Sequence, residues 1–463
     1  MREGPGRAAA SVPSRTLLGV GSLVLMALAQ LSAASDRFLL TLVTTPVKQA
    51  LALSDAQLGV LHGSAFVAFY ALTMPLFGSL ADRGHQRRIL VASIAIWTLA
   101  TLGFGLAGSF WGLCLSRLAL GFGQAGLAPA SLSLIAHGSV PRRMAFNVSL
   151  FTASGSLGQS CALLAGGATL AWLAGRGGMV FPGFGALSPW RALFVLACLP
   201  NLLLILAAIR LTPLRAPPAH RGGLRPAWAW MRRRWRLYLP HCVAAACAVL
   251  MGRTLGAWGP TLYVRSHGMS PSESGIVLGL LLLIGGPLGH LSAGLILGRI
   301  DRARRRAASS RMLGLGLLAA LPLAVVMAVV PDRTLSLTAF TVLTAMLGLT
   351  APAAVTGVQL LTPVALRGRV SALFIAGVTL SASGTGPPLL GLLSDTVFGA
   401  DHLGRALITL FVLVGCPGIG LAFHAARLSS HAAHLSSHAA HLPTFAASVF
   451  SAARRRTRTR PDR

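Results

Sequence analysis

The sequence predicts an all-α membrane protein, with twelve transmembrane helices in two six-helix halves. Three observations carry this. Mean hydropathy is +0.70, with 54% apolar and only 11% charged residues, a composition suited to a chain surrounded by lipid. Apolar runs of about twenty residues, the length that crosses a bilayer as a helix, recur twelve times. These runs lack the alternation of barrel strands, so helices are left as the structure that satisfies its own backbone in lipid.

In order, the predicted spans cover roughly residues 17–45, 56–81, 89–109, 111–137, 145–172, 190–210, 237–264, 275–298, 311–330, 335–361, 370–394 and 405–426. The first has some marks of a signal peptide: Arg2, Arg7 and Arg15 precede it, and Ser32-Ala33-Ala34-Ser35 resembles a cleavage site. Its apolar run is longer than a signal core and continues past Asp36-Arg37, so it is read as the first helix. Arginine placement sets the orientation. With the N-terminus inside, cytoplasmic segments hold 31 of the 40 basic residues. The outside connections hold six: Lys48, Arg176, Arg191, Arg265, Arg333 and Arg405. Both termini are expected in the cytoplasm of a multi-pass protein of the cell (inner) membrane.

The chain then divides into a cytoplasmic tail (1–16), a first six-helix half (17–210), a basic linker (211–236), a second half (237–427) and a tail rich in His and Arg (428–463). The linker carries prolines 213, 217, 218 and 226 and ends in Arg232-Arg233-Arg234. It reads as a solvated segment at the membrane surface, with a site for anionic lipid as the weaker alternative. In the tail, His424, His431 and His438 open successive seven-residue repeats. His431, His434, His438 and His441 would share one face of a helix, yet simple duplication explains them without a metal. Arg454 to Arg460 form a basic run, again suited to anionic lipid.

The net charge of +30 does not indicate nucleic acid, because the arginines punctuate apolar spans and form no separate basic domain. Cys114, Cys161, Cys198, Cys242, Cys247 and Cys416 all lie in apolar runs at spacings that fit neither zinc nor a disulfide framework. There is no nucleophile elbow, phosphate-cradling glycine loop or nucleotide motif. The sequence therefore points to no enzyme and no cofactor, and any transport must draw on a gradient. A monomer is expected.

Between the second and third spans stands Gly78-Ser79-Leu80-Ala81-Asp82-Arg83-Gly84-His85-Gln86-Arg87-Arg88. A hinge at a water interface fits this stretch, with Gly78 allowing close helix contact and Asp82 poised to meet a neighbouring helix N-terminus. It resembles the loop signature of the major facilitator superfamily (MFS). A degenerate echo follows the eighth span, as Asp301-Arg302 before Arg304-Arg305-Arg306. The halves echo one another again in Pro141-Arg142-Arg143 and Arg367-Gly368-Arg369, each opening a helix rich in glycine. The resemblance implies two six-helix repeats around a central cavity, with Gly78, Asp82, Arg83, Arg87 and Arg88, and in the second half Asp301 and Arg302, as cytoplasmic gating residues.

Of the ten acids, only Asp36 lies well inside an apolar segment. A carboxylate there is costly unless paired or protonated, which makes it a candidate proton-coupling group. If the helix ended near Ser35, Asp36 and Arg37 would instead sit at the outer interface, and the sequence leaves both placements open. Arg117 and Gln124, seven residues apart, share one face of the fourth helix, with Gly121, Gly123 and Gly126 giving room for close packing or for a ligand. Arg117 reads either as a cavity residue or as a structural arginine. Arg253, from the seventh span, either faces the same cavity or instead snorkels or bonds to backbone carbonyls. His62, His241 and His290 also lie in spans and are read as helix-packing residues.

Asp36-Arg37, Leu53-Ser54-Asp55-Ala56-Gln57-Leu58-Gly59, Arg117 to Gly126, Trp190-Arg191-Ala192-Leu193-Phe194 and Trp258-Gly259-Pro260 together look like the spinster-like branch and its bacterial relatives, over roughly residues 17–427. That resemblance implies lysolipid-type cargo and proton coupling. The branch usually has a glutamate where this chain has Gln124, and glutamine cannot titrate, so coupling would fall to Asp36. The expectation is a secondary carrier working by alternating access on an amphipathic or anionic small molecule, with Arg37, Arg117, Gln124 and Arg253 as substrate-binding candidates. A proton-linked drug exporter or small organic-anion carrier would share this frame, and a non-transporting sensor with a partner-binding basic tail is the alternative of another class.

Overall fold

The computed structural model describes residues 18–211, 224–301 and 304–441. The tails 1–16 and 442–463, most of the linker, Arg302 and the side chains of Asp82 and residues 431–441 lie outside the described set. Fifteen α-helices are described. They are α1 (Val20–Leu51), α2 (Asp55–His62), α3 (Ser64–Asp82), α4 (Gln86–Leu106), α5 (Phe110–Gln124), α6 (Leu127–Gly138), α7 (Pro141–Ala174) and α8 (Pro189–Ile209). After the linker come α9 (Arg225–Arg233), α10 (Trp235–His267), α11 (Pro271–Arg299), α12 (Arg305–Val329), α13 (Arg333–Leu361), α14 (Arg367–Leu393) and α15 (Leu403–His441).

Twelve crossings are long and apolar enough to span a membrane. The first, α1, is kinked at Val43, and two others are broken. The second is α2 plus α3, interrupted at Gly63, and the fourth is α5 plus α6, interrupted at Ala125 and Gly126. An even number of crossings puts both ends of the bundle on one face, called here the terminal face; the other is the distal face.

Several helices outrun their apolar stretches because polar caps and interface side chains complete them. α1 continues through Pro46 and Lys48 to Leu51 and closes on Ala52 in the left-handed region, whose N–H reaches the Lys48 carbonyl. α2 opens on a capping box, in which Ser54 accepts from the Gln57 N–H and Gln57 caps the Ser54 N–H. Two elements were not anticipated. One is a short hairpin, β1 (Met179–Phe181) paired antiparallel with β2 (Gly185–Leu187), on the distal face between α7 and α8. Gly183 and Gly185 at positive φ make its turn. The other is α9, which gives the linker a helix of its own.

In the first six crossings α1 packs on α7, and α4 on α5 and α8; in the last six α12 packs on α13 and α15. The two sets meet through α7 with α11, α2 and α3 with α14, and α1 with α10. The approach of α2 to α14 is so close that a Cβ on Gly391 would lie 2.1 Å from the Asp55 carbonyl oxygen, so any side chain there would part the helices. Toward the terminal face this closeness ends. A Cβ on Gly78 or on Gly377 would meet no atom within 4 Å. The close helix contact expected at Gly78 is therefore not made in this conformation.

Candidate functional site

At the middle of the bundle the site is built on α1. Asp36 is 4% exposed and lies in an unbroken helical stretch, which removes the interfacial placement. Its Oδ2 accepts from Asn201 Nδ2 of α8 at 2.7 Å and from Thr101 Oγ1 of α4 at 3.3 Å. Asn201 is held in turn by the Ser32 hydroxyl, which donates to its Oδ1 at 2.6 Å. Asp36 and Arg37 form no ion pair with one another. Adjacent residues leave a helix about 100° apart, and here they face different neighbours.

Arg37 turns toward α3 and α5. Its Nη2 donates to Gln124 Oε1 at 2.9 Å, and its guanidinium lies 4.4 Å from the Phe66 ring centre and 5.6 Å from that of Tyr70. Its Nε is buried without a partner. Gln124 uses both ends of its amide, since its Nε2 donates to the Ala33 carbonyl at 2.7 Å. Arg117 is 2% exposed and spends its donors on backbone: Nε on the Leu61 carbonyl at 3.0 Å, and both terminal nitrogens on the Arg37 carbonyl at 3.2 Å. It ties α5 to α1 and to the C-terminal turn of α2. Arg117 and Gln124 do share a face, and the glycines between and after them serve packing. A Cβ on Gly121 would sit 2.1 Å from the Phe66 carbonyl oxygen.

Arg253 of α10 makes no hydrogen bond or ion pair among the described residues. It lies within electrostatic reach of Arg37 and of Tyr70. The binding of Arg253 to backbone carbonyls, left open by the sequence, does not occur. The neighbouring wall is aromatic, with His62 Nε2 3.0 Å from Thr44 Oγ1 and its ring 5.7 Å from that of Trp258. His241 is held by Ser310 and the Ala354 carbonyl, and His290 by the Gly286 carbonyl.

A second constellation closes the distal face. The Asp55 side chain is fully buried. Arg265 of α10 grips it with two bonds of 2.7 Å, Lys48 donates to it at 2.5 Å and Ser394 at 2.7 Å. Reciprocally, Asp395 accepts from the Asp55 and Ala56 N–H groups at 3.0 and 2.6 Å, covering the N-terminus of α2. The loop residues of the terminal face are less engaged. Arg83 and Arg88 are exposed, and Gly84 turns the chain at φ +88°. Arg87 and Arg88 line a cavity of about 690 Å³ with His85, Val91 and Ile209, alongside α8. Asp301 is exposed, and its carbonyl accepts from the Arg304 and Arg305 N–H groups at the start of α12.

The Major Facilitator Superfamily model matches residues 26–387. The chain belongs to the Major Facilitator Superfamily. It is thus of a transporter family, which agrees with the lack of enzyme motifs. It is 30% identical over 414 residues to an MFS-type efflux pump of Mycolicibacterium smegmatis, covering 88% of this chain and 90% of that protein. It is 27% identical over 278 residues to protein spinster homolog 1 of Rattus norvegicus, covering 55% of this chain and 50% of that one. A bacterial homologue of the human lysosomal transporter Spinster, solved in an inward-facing and unoccupied conformation, superposes with a TM-score of 0.71 at 22% identity, over 89% of this chain and 96% of that one. The spinster-like resemblance and the MFS fold stand.

Several residues of this MFS transporter's site were missed in the sequence. Asn201 had a signal: it is a lone amide inside the apolar α8, where an unsatisfied polar group is costly. The distal cluster had none, since Arg265 and Asp395 lie 210 and 340 residues from Asp55.

Proposed function

We propose that this MFS protein is a secondary carrier that moves an anionic, amphipathic small molecule by alternating access. Arg37 and Arg253 hold its charged head, and Asp36 is the proton-binding group. One observation supports the first part: Arg37 and Arg253, from opposite halves, stand within electrostatic reach of one another with no carboxylate paired to either. Arg253 is without a partner and Arg37 keeps a buried, unpartnered Nε. Such charges in a membrane interior call for an anion, and the rings of Phe66 and Tyr70 beside Arg37 suit an apolar chain. Phosphate-headed lysolipids, the cargo type implied by the spinster-like resemblance, combine both features. Asp36 takes its hydrogen bonds from the neutral Asn201 and Thr101 and pairs with no arginine, with Arg117 within electrostatic reach, which suits a group that cycles between charged and protonated forms.

Arg117 and Gln124 shape this site from behind. Arg117 fixes α1 against α5, and Gln124 orients Arg37. The arginine distribution supports a cytoplasmic terminal face in the cell membrane, so the closed distal face makes this conformation inward-facing. Gly78, Asp82, Arg83, Arg87 and Arg88, with Asp301 and Arg302, then form the cytoplasmic latch that engages when the cavity faces outward. The likeness to an efflux pump along most of the chain favours export.

Binding to the purified protein tests the anion site. A lysophosphatidylglycerol should bind, and Arg37→Gln and Arg253→Gln should each weaken it at least ~10-fold, the order of one charge-assisted hydrogen bond. The uncharged monoacylglycerol of the same chain should be unaffected by either change. Equal losses for both ligands would rule out a headgroup role for the arginines.

A further inference from the structure

α9 is a second place where this chain is built to meet an anion. Three flanks are distinguishable around its axis. Ala227 is fully buried, Trp230 and Met231 pack on the main hydrophobic core, and the helix lies against α10 and α14. Trp230 is fixed twice, by donating from Nε1 to the Tyr238 hydroxyl at 3.1 Å and by the Arg234 guanidinium 3.4 Å above its ring. One flank is therefore docked. On the next, Leu224 and Trp228 are 49% and 61% exposed. Arg225, Arg232 and Arg233 occupy the third flank, all exposed, about a quarter-turn further round. Trp235, which opens α10, is 54% exposed and carries Arg236 5.6 Å from its ring centre. Residues 224–239 contain no acidic residue.

The position of α9 supplies the partner. It joins the terminal-face end of α8 to the start of α10, both membrane-spanning, so it lies at the level of the lipid headgroups. Exposed tryptophans and a leucine beside a row of arginines are costly in water. At a bilayer surface the indoles take the headgroup–acyl boundary and the guanidinium groups take the phosphates.

We propose that α9 is an in-plane anchor whose partner is the anionic phospholipid of the leaflet at the terminal face. Trp228 and Trp235 insert between acyl chains, and Arg225, Arg232 and Arg233 bind headgroup phosphates. The anchor also reaches the transport core. Trp230 bonds to Tyr238, and the Tyr238 hydroxyl lies 2.8 Å from Thr362 Oγ1, the C-cap of α13. Anionic lipid held on α9 thus steadies the terminal-face ends of α10 and α13 together. This is independent of the cargo, of the proton and of the orientation assigned above.

Hydrogen exchange of the full chain in nanodiscs tests it without a transport assay. Amides of 224–236 should exchange ~10-fold more slowly in phosphatidylcholine containing phosphatidylglycerol than in phosphatidylcholine alone, since each arginine near an anionic surface contributes on the order of a few-fold in binding. The double change Arg232→Gln with Arg233→Gln should abolish that difference while leaving exchange in α10 and α13 unchanged in phosphatidylcholine. Trp228→Ala should speed exchange of the segment in both lipids. Equal protection of the unaltered protein in the two lipids would overturn the proposal. So would a lipid effect that survives the double arginine change.

Discussion

Gln124 lies at the headgroup site proposed above. Its amide both accepts from Arg37 and donates to the Ala33 carbonyl, so Arg37 is oriented without being neutralised. Gln124→Glu would set a carboxylate where Oε1 now lies 2.9 Å from Arg37 and leave the Ala33 carbonyl without its donor. The expected result is an ion pair that competes with the substrate headgroup, raising KM for a lysophosphatidylglycerol about 10-fold or more with little change in the amount of folded protein. An unchanged KM would show that Arg37 does not meet the headgroup. At this scale the sequence was informative about which residues are costly in lipid, and much less about what each faces. Asp36 and Arg37 stand next to one another yet look to different helices. Arg117, an arginine deep in a span, reads in the sequence more as a cavity residue than as a structural one, yet its donors fall on backbone carbonyls.

Among the elements, the breaks matter most. α2 is a short helix between two breaks, capped at its start by Ser54 and by Asp395 from the other half, and Gly391 lets α14 approach it. Arg265→Gln would leave the buried Asp55 carboxylate with Lys48 and Ser394 alone. Removing one partner of a buried charge cluster costs ~3 kcal/mol or more, so the distal closure should weaken by at least ~10-fold. Spin labels on the α7–α8 hairpin and on the α12–α13 connection, in a background without native cysteines, should report a longer-distance population that the unaltered protein lacks. An unchanged distance distribution would mean that packing at Gly59, Gly63 and Gly391 suffices to hold the face shut. All twelve crossings were legible as apolar runs, because lipid imposes length and composition on them. The helix in the linker was not, since nine residues of mixed Trp and Arg satisfy no spanning criterion.

Taken whole, the molecule is a bundle locked across its distal face, with Gly78 free of contact at the terminal end and two unpaired arginines at its centre. On the function proposed, alternating access has a physical form: the distal cluster would part as the terminal loops engage, and substrate bridging Arg37 to Arg253 would couple the halves. The family frame was visible in the loop at 78–88 and in the arginine distribution. The distal lock was not, because it is assembled from residues hundreds of positions apart and depends on tertiary structure alone.

The most direct test of the central claim is lysophosphatidylglycerol flux in proteoliposomes with an imposed pH gradient, comparing the unaltered protein with Asp36→Asn. The account predicts flux that follows the gradient in the unaltered protein. It predicts loss of that dependence in Asp36→Asn, with folded protein and ligand binding retained. Gradient-driven flux that persists unchanged in Asp36→Asn would contradict the role given to this carboxylate, and absence of any lysolipid flux from folded, oriented protein would contradict the cargo.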